Sequence, residues 1–366
     1  MKIVYIGHSY IVKMNQQKID EINRISDHQI YLVTPKRWKN VMIRGFSAGS
    51  DKEPGVHYLD VKRPGNMKKY TYKGLLSVLK KIQPDIIHID EEPWFYVAFQ
   101  IIFLAKYFLK KKPKIVLFTW ENIYKKFSPR YRFIERFNLK NCDTIIAGNR
   151  EASGIVKRKR AGCPVHILPL VGVDLKDYSS SKIRSKKVRI GFIGRLVREK
   201  GILLLLSAFF RLTVKNKTLT IIGQGPLLKD IRDIIKKSGH SKEVSVLTGV
   251  KHHQVPALFK KMDILVLPSC STRAWKEQFG HVLIEAMAGR VALLGSSSGA
   301  IPEVIRDAGM IFKENNVNDL YKKLDQLVRK KKLRNMYSKK GHERVQKHYT
   351  NEVLAEETLK IYNNIS

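Results

Sequence analysis

Two cations follow a glycine-containing strand end in residues 188–201, VRIGFIGRLVREKG. The pattern predicts a buried strand ending at Gly194, with Arg195 directly after it and Lys200 just before a helix that begins near Gly201. Glycine lets a backbone approach a ligand closely, and amides together with two cations suit a pyrophosphate. A plain strand–turn–helix with two surface cations is the alternative. The spacing Gly-Arg-Leu-x-x-x-Lys-Gly directly after a strand favours the anion site.

Two carboxylates flank a second predicted anion site. Glu277 lies in a polar loop, and Glu285 lies further along a helix predicted over residues 280–287. The start of this helix offers amides at Phe279, Gly280 and His281 to a phosphate-sized anion. Glu285 has the reach to accept hydrogen bonds from a ribose diol, whereas Glu277 would face whatever lies beyond the phosphates. Either glutamate alone is typical of a solvated helix, but the combination favours a ligand site.

The remaining candidates for ligand contacts in the second half of the chain have weaker sequence motifs. Gly223 and Gly225, in residues 220–226 (TIIGQGP), either line the same site or only mark the turn between a strand and a helix that starts at Pro226. His252 and His253 lack the partner spacing of a metal site, and we expect them beside a nucleotide base or at the surface.

A cluster of acidic residues follows another predicted strand, in residues 86–94 (IIHIDEEPW). Asp90, Glu91 and Glu92 could bind hydroxyl groups of a ligand or accept a proton from one of them. They could equally cap the helix that follows. His8 and Lys13, after the first strand, are placed in the same way.

Alternating strands and helices would position these candidate residues. Ten short apolar runs read as buried parallel strands: residues 3–6, 30–33, 86–89, 115–118, 144–147, 188–193, 219–222, 244–247, 264–267 and 291–294. Amphipathic stretches between them predict helices, for example over residues 73–82 and 96–109. The alternation predicts two doubly wound α/β domains joined by a serine-rich linker over residues 177–187, with a ligand crevice at the strand ends.

Four motifs in this order resemble the retaining GT-B glycosyltransferases of family 4. They are Gly-Arg-Leu-x-x-x-Lys-Gly, the Gly-x-Gly-Pro turn, Glu-x7-Glu from Glu277 to Glu285, and Gly-x-Ile-Pro-Glu-Val from Gly299 to Val304. The first half is similar more loosely, through the loop at Gly7 and residues 168–174 (LPLVGVD). The resemblance implies two Rossmann-like domains facing across a cleft. It assigns residues 1–178 and a final helix at 349–366 to the acceptor domain, and residues 179–348 to the donor domain.

The resemblance also implies roles for individual residues. Arg195 and Lys200 would neutralise the donor diphosphate, and Glu285 would bind the ribose. Glu277 with the Phe279–Gly280 backbone would hold the transferred sugar and the pyrophosphate. Backbone groups around Val250 and Lys251 would recognise the nucleotide base. The family needs no metal or other cofactor, because protein cations stabilise the leaving diphosphate, and this chain has no Asp-x-Asp motif. Retention in the family is ascribed to same-face attack through an oxocarbenium-like state, so no nucleophile is assigned.

The chain departs from the family pattern at two places. After the second glutamate the family has Ala-x-Gly-x-Pro, whereas this chain has Arg290 at the glycine position. A left-handed Arg290 would cost about 1–2 kcal/mol, unless Gly289 takes that conformation. The family's histidine after the fourth strand is also missing, so Trp120, Glu121 or Asn122 must replace it.

The composition indicates anionic partners. A net charge of +37 over 366 residues requires nucleic acid, acidic membrane lipid or a phosphorylated ligand as company, and charge alone does not choose among them. The resemblance implies a nucleotide-sugar donor and a lipid-linked or glycan acceptor. Aromatic residues of 96–108 among lysines resemble a face that binds anionic membranes, although a packed helix with solvated lysines is equally consistent. Few cysteines and no signal-like segment predict a cytoplasmic protein, either soluble or peripheral on the inner membrane face.

Other protein classes remain as alternatives. These are a sugar-nucleotide epimerase or phosphorylase of the same fold, a catalytically weak relative, and a basic nucleic-acid-binding protein. The last lacks an aromatic RNA-binding signature or a helix-turn-helix spacing, so no nucleic-acid partner is expected.

Overall fold

The computed structural model describes residues 1–40, 43–47, 55–159, 161–178, 183 and 185–365. The chain divides into two compact units. The first comprises Met1–Val171 together with Asn351–Ser366, and the second comprises Gly172–Thr350. The second unit is therefore inserted, in sequence, between the body of the first unit and its last helix.

The elements alternate as the sequence pattern predicts. The strands are β1 Lys2–Ile6, β2 Gln29–Pro35, β3 Arg37–Asn40, β4 Ile43–Ser47, β5 Val56–Leu59, β6 Val61–Lys62, β7 Thr71–Tyr72, β8 Ile86–Ile89, β9 Lys114–Thr119, β10 Thr144–Ala147, β11 Val165–Ile167, β12 Val188–Ile193, β13 Lys217–Ile222, β14 Val244–Leu247, β15 Ile264–Leu267, β16 Ala292–Ser296 and β17 Gly309–Phe312. The α-helices are α1 Gln17–Ile25, α2 Leu75–Ile82, α3 Tyr96–Phe108, α4 Pro129–Lys140, α5 Arg150–Arg158, α6 Ile202–Phe210, α7 Leu228–Lys237, α8 Val255–Phe259, α9 His281–Ala288, α10 Ile301–Ile305, α11 Val317–Arg329, α12 Lys331–His348 and α13 Asn351–Asn363.

Each unit is built on a parallel sheet. Within the described part of the chain, the first sheet has the order β11-β10-β9-β8-β1-β2-β5, and the second has β14-β13-β12-β15-β16-β17. All ten predicted strands are present in these sheets. Their continuous apolar runs are explained by burial on both faces, since helices cover a parallel sheet above and below. The doubly wound α/β architecture predicted from the sequence is confirmed.

The last helix completes the core of the first unit. Leu354, Ala355 and Ile361 of α13 are buried among residues of β1 and α1. Tyr362 lies deeper, where its hydroxyl donates to the Tyr5 oxygen at 2.5 Å and lies 2.6 Å from His88 Nδ1. The apolar stripe and a buried polar contact thus fix α13 to the sheet.

The structure corrects two local expectations. The helix after β13 begins at Leu228 rather than at Pro226, because the amides of Leu227 and Leu228 first close a turn onto Leu196 O and Gly225 O. The short strands β5, β11 and β17 were missed. Their residues are partly exposed, so they lack the continuous apolar run of a central strand. Linker residues 179–182 and 184 lie outside the described residues.

The left-handed turn after α9 falls on Arg290, not on Gly289. Arg290 has φ +53°, whereas Gly289 has φ −74°. Gly289 is needed for a different reason, because a Cβ there would lie 2.7 Å from the Phe259 Cβ. The chain therefore keeps glycine for packing and places a side chain in the strained conformation.

No helix among the described residues is both long enough and apolar enough to span a bilayer.

Candidate active site

The candidate residues divide between the two units. The donor-side set lies entirely in the second unit and the acceptor-side set entirely in the first. Each set is described on its own.

Lys200 and Glu277 form an ion pair in the second unit, in which Glu277 is buried and Lys200 is half-buried. They follow the neighbouring strands β12 and β15, whose carboxyl ends share one edge of the sheet. The Lys200 ammonium donates to Glu277 Oε2 at 2.6 Å, and the same oxygen accepts from the Ser269 hydroxyl at 2.6 Å. The ammonium also lies 5.0 Å from the centre of the Trp275 ring. One cation and one carboxylate predicted from separate motifs are therefore in direct contact.

Gly299 fixes the position of Glu277. The Glu277 carbonyl accepts from the Ala300 amide at 3.0 Å, and a Cβ at Gly299 would lie 2.1 Å from the same carbonyl oxygen. Gly299 also has φ +50°, which favours glycine. The Gly-x-Ile-Pro-Glu-Val motif thus acts as the support of the Glu277 loop.

Arg195 is held much more loosely than Lys200. Its side chain is 43% exposed, and its guanidinium is 4.0 Å from Glu199 Oε1. The adjacent Gly194 amide donates to Ile222 O of β13 at 3.0 Å. The structure thus leaves the Arg195 side chain able to move toward a ligand, whereas Lys200 is already paired.

Gly223 and Gly225 bring the loop after β13 against the loop after β12. A Cβ at Gly223 would lie 1.9 Å from Gly194 O, and one at Gly225 would lie 2.4 Å from Leu196 O. These glycines are explained by packing between the loops, and contact with a donor stays a prediction.

The start of α9 is formed as the sequence predicts. Gly280 precedes the helix with φ +76°, and the Leu283 amide donates back to its carbonyl at 2.8 Å. Phe279 is buried and packs edge-on against Tyr349, with ring centres 5.7 Å apart. His281 is the first residue of the helix.

Glu285 is buried on α9 and surrounded by donors. His252 Nε2 lies 3.2 Å from its Oε1, His281 Nδ1 lies 3.7 Å from its Oε2, and the Tyr178 hydroxyl donates to Oε1 at 3.4 Å. Burial acts to raise the pKa of Glu285, but hydrogen bonds and charge from the two histidines outweigh it and lower the pKa to about 2. Glu285 is therefore an ionised acceptor, as ribose binding would require.

The pKa of His281 is shifted upward, opposite to that of Glu285. Burial acts to lower its pKa, but the hydrogen bond and charge of Glu285, with a smaller contribution from the Gly172 carbonyl, raise it above 6.5.

One expectation near residue 250 needs revision. His252 lacks metal-type partners at nearby sequence positions, yet ligand atoms of His252, His281 and Glu285 lie within 4.8 Å of one another. The distant α9 supplies them. The Lys251 amide is already used, since it donates to Gln254 Oε1 at 2.9 Å, so a base contact there would displace that bond. Val250 is half-buried beside it.

In the first unit, the loops after β1 and β8 meet because the two strands are neighbours. His8 donates its amide to Glu91 Oε1 at 2.8 Å, and its Nδ1 lies 2.7 Å from the same oxygen. The Tyr70 hydroxyl donates to this oxygen too, and the Ser9 hydroxyl donates to Asp90. Gly7 allows this approach, since a Cβ there would lie 3.0 Å from the Asp90 Cβ.

Burial shifts the pKa values of two carboxyls in this cluster. It raises the pKa of Asp90 to about 6, against the hydrogen bond from Ser9. It raises the pKa of Glu92 to about 7, although Glu92 accepts from the Thr119 hydroxyl at 2.6 Å and the Trp120 amide at 2.8 Å. Groups titrating near neutrality suit proton exchange with an acceptor hydroxyl.

The other acceptor-side candidates lie elsewhere in the unit. Glu121 pairs with Lys125, and the buried Asn122 donates to Glu151 Oε2 at 3.2 Å. Lys13 lines a groove of about 720 Å³ formed by α1, β2 and the start of β5, apart from the carboxylates.

Sequence reasoning missed Lys18, a lysine on α1. It is 2% exposed, and its ammonium has no hydrogen-bond partner among the residues that the structure describes. Burial lowers its pKa to about 8, while the nearby Asp90 acts against that shift. Its place on the apolar face of α1, next to Ile19 and in register with Ile22, was the available signal.

Comparison with known proteins gives one family. A model of "Glycosyl transferases group 1" matches residues 175–344, and a model of "Glycosyl transferase 4-like" matches residues 24–149. An uncharacterised 41.2 kDa protein from the cps region of Klebsiella pneumoniae is 28% identical over 69% of this chain and 71% of its own. The capsular polysaccharide biosynthesis glycosyltransferase CapM of Staphylococcus aureus is 26% identical over 50% of this chain and 47% of its own.

Solved structures agree on the fold. Anabaena Alr3699/HepE in complex with UDP superposes with a TM-score of 0.75 at 14% identity, covering 100% of both chains. Together with the two family models, this establishes that the chain belongs to the group 1 glycosyltransferases with the GT-B fold.

Proposed function

We propose that the protein is a metal-independent, retaining glycosyltransferase acting in cell-envelope glycan synthesis. It would move a sugar from a nucleoside-diphosphate sugar to a lipid-linked or polysaccharide-type acceptor. The observation that carries this proposal is the contact between Lys200 and Glu277 at the strand ends next to the α9 N-terminus. The capsular role named for the Staphylococcus relative and the UDP bound by the Anabaena protein support the same chemistry.

The donor would bind through its diphosphate and its ribose. Arg195, Lys200 and the α9 amides would hold the diphosphate, while Glu285 would accept from the ribose hydroxyls in place of its histidine partners. When the glycosidic bond breaks, negative charge grows on the departing diphosphate, and fixed cations stabilise that charge. In the proposal, the Lys200 ammonium shifts part of its hydrogen bonding from Glu277 to the diphosphate.

Transfer would occur on one face of the sugar. The bond between the anomeric carbon and the phosphate oxygen breaks, the acceptor oxygen bonds to that carbon, and the hydroxyl proton passes to the departing phosphate. Glu277 would hold the sugar hydroxyls. No residue is assigned as a covalent nucleophile. Asp90 and His8 of the first unit would bind acceptor hydroxyls.

The first unit also carries the proposed membrane-binding face. Phe103, Tyr107 and Phe108 at the end of α3 are 37%, 61% and 47% exposed, and Phe133 on α4 is 63% exposed. Lys110–Lys112 follow α3 directly. Exposed aromatic rings beside cations are typical of surfaces that enter the interface of anionic membranes, so we place the enzyme at the inner membrane face.

A nucleotide screen tests the donor proposal. One class among UDP-, GDP- and ADP-sugars should raise the thermal unfolding temperature in the presence of EDTA, and should be slowly hydrolysed. Glu285→Ala should weaken that binding by about 1.5–3 kcal/mol, the range for hydrogen bonds to a charged group. Glu243→Ala is the matched control, because Glu243 also pairs with a histidine, His240, but at the opposite end of the sheet. Equal affinity in the two variants would contradict the ribose assignment.

Flotation with vesicles tests the membrane proposal. The protein should float with phosphatidylglycerol-containing vesicles and not with phosphatidylcholine alone. Replacing Lys110, Lys111 and Lys112 by Gln should reduce flotation, whereas the same change at Lys330, Lys331 and Lys332 removes equal charge elsewhere and should not. Equal losses would assign the effect to net charge rather than to this face.

A further inference from the structure

Three metal-ligating side chains converge in the second unit. His252 lies in the 3-10 helix after β14, while His281 and Glu285 lie one turn apart on the same face of α9. One ligand atom from each residue falls within 4.8 Å of the other two. Two imidazoles and one carboxylate form a donor set that suits zinc and related divalent transition metals.

The separations are close to those that a metal requires. In a tetrahedral zinc site with bonds of about 2.0–2.1 Å, neighbouring ligand atoms lie about 3.3 Å apart. His252 Nε2 is 3.2 Å from Glu285 Oε1, and His281 Nδ1 is 3.7 Å from Glu285 Oε2. Small side-chain rotations would therefore close the site. The His252 side chain is 48% exposed, so a metal has an entry path and water can supply the remaining ligand.

Outer contacts already orient two of the three ligands. His281 Nε2 lies 3.1 Å from Gly172 O. A carbonyl only accepts, so Nε2 carries a proton, and the lone pair of Nδ1 faces Glu285, where it can bind either a second proton or a metal. The Tyr178 hydroxyl donates to Glu285. Histidine bonded to a backbone carbonyl and carboxylate bonded to a hydroxyl are the second contacts that metal ligands usually make. A lone pair facing a carboxylate needs a cation between them, either a proton or a metal.

We propose that His252, His281 and Glu285 bind a divalent transition-metal ion, and that this ion inhibits the enzyme. The inhibitory part rests on the proposed function, because Glu285 is there assigned to the donor ribose. A metal bound to one or both carboxylate oxygens of Glu285 prevents them from accepting hydrogen bonds from the ribose. Metal and nucleotide therefore exclude each other, and the metal takes no part in transfer.

Zinc binding to the full-length protein without nucleotide tests the site itself. Calorimetry with ZnCl2, and the visible absorption of added Co²⁺, should report one site per chain. His252→Ala and His281→Ala should each weaken binding by about 100-fold or more, since outer-shell partners alone contribute about 10–100-fold. His253→Ala is the matched control, because it removes the adjacent imidazole outside the cluster. Wild-type zinc affinity in both cluster variants, or an equal loss in His253→Ala, would overturn the site.

Competition with UDP separates this proposal from the proposed function. In the wild-type protein, UDP should weaken apparent zinc binding by more than chelation of zinc by its diphosphate explains, and that chelation is measured by titrating ZnCl2 into UDP without protein. His253→Ala keeps the cluster and should show the same competition. Zinc binding that depends on His252 without any UDP binding would support the site and contradict the proposed donor. UDP binding without zinc binding would do the reverse. Simultaneous binding of both would refute the inhibitory overlap.

Discussion

Lys200 and Glu277 carry opposite charges in one contact, so removing each charge should move nucleotide affinity in opposite directions. Lys200→Met keeps the aliphatic stem and loses the ammonium. The loss of a charged contact to a diphosphate costs about 1.5–3 kcal/mol, which is about 10- to 150-fold in UDP affinity. Glu277→Gln keeps an oxygen for the Ser269 hydroxyl and loses the charge that competes for Lys200.

The size of the second effect follows from the contact distance. At 2.6 Å and an effective dielectric constant of about 20, the gross attraction is about 6 kcal/mol, and desolvation offsets most of it. Releasing the ammonium should therefore strengthen UDP binding by about 1 kcal/mol, or about fivefold. Turnover should nevertheless fall, because Glu277 is assigned to hold the transferred sugar.

The assay is calorimetric titration of UDP in EDTA, with turnover measured as release of UDP from the donor. Glu199→Gln is the matched control on the same loop. Its contact with Arg195 is 4.0 Å long and more exposed, so affinity should change by less than about threefold. Unpairing a buried charge also costs stability, about 3–5 kcal/mol, so far-UV circular dichroism must show folded protein. The reasoning fails if Lys200→Met binds like the wild type, or if Glu277→Gln binds more weakly than Lys200→Met.

Three further outcomes can be measured. Arg290→Gly should raise the free energy of unfolding by about 0.5–1 kcal/mol in denaturant titration, because relief of a left-handed side chain exceeds the added freedom of the unfolded glycine. Glu92 has a pKa raised from 4.5 to about 7, so the folded state keeps a proton that the unfolded state loses as pH rises, and stability falls between pH 4.5 and 7. Glu92→Gln should flatten that fall in thermal unfolding from pH 5 to 8, and a parallel fall in the variant would assign it to other groups. The Cys142 and Cys163 sulfurs are 3.5 Å apart, so mild oxidation with hydrogen peroxide should join them, as read by mass spectrometry of non-reduced peptides; separate oxidation of each thiol would count against this.

The central strands could be predicted because burial on both faces demands uninterrupted apolar residues. The edge strand β17 could not, since its first three residues are half-buried. The sequence predicted Glu277 and Lys200 in two motifs that follow separate strands, but it did not predict that their side chains are in contact. The meeting of His252 with Glu285 was not foreseeable, because it depends on how α9 packs beside the loop after β14.

Backbone conformation also depends on tertiary contacts that the sequence does not show. The sequence allowed either Gly289 or Arg290 in the left-handed turn, and the structure has Arg290 there. Gly289 is explained instead by the approach of Phe259, a tertiary contact. In the first unit, a lysine such as Lys18 reads as solvated, and its burial near Asp90 depends on the tertiary packing of α1.

The position of α13 in the chain sets an order on biosynthesis. The second unit is continuous in sequence, so all its residues have been translated while the nascent first unit still lacks its last helix. Until Tyr362 emerges from the ribosome, Tyr5 and His88 lack their polar partner and the apolar surface under α13 stays open to water. Domains usually fold in the order of their synthesis. Here the first unit is translated first but is completed last, because it requires α13. Until then, the apolar surface that α13 covers is where chaperones would be needed.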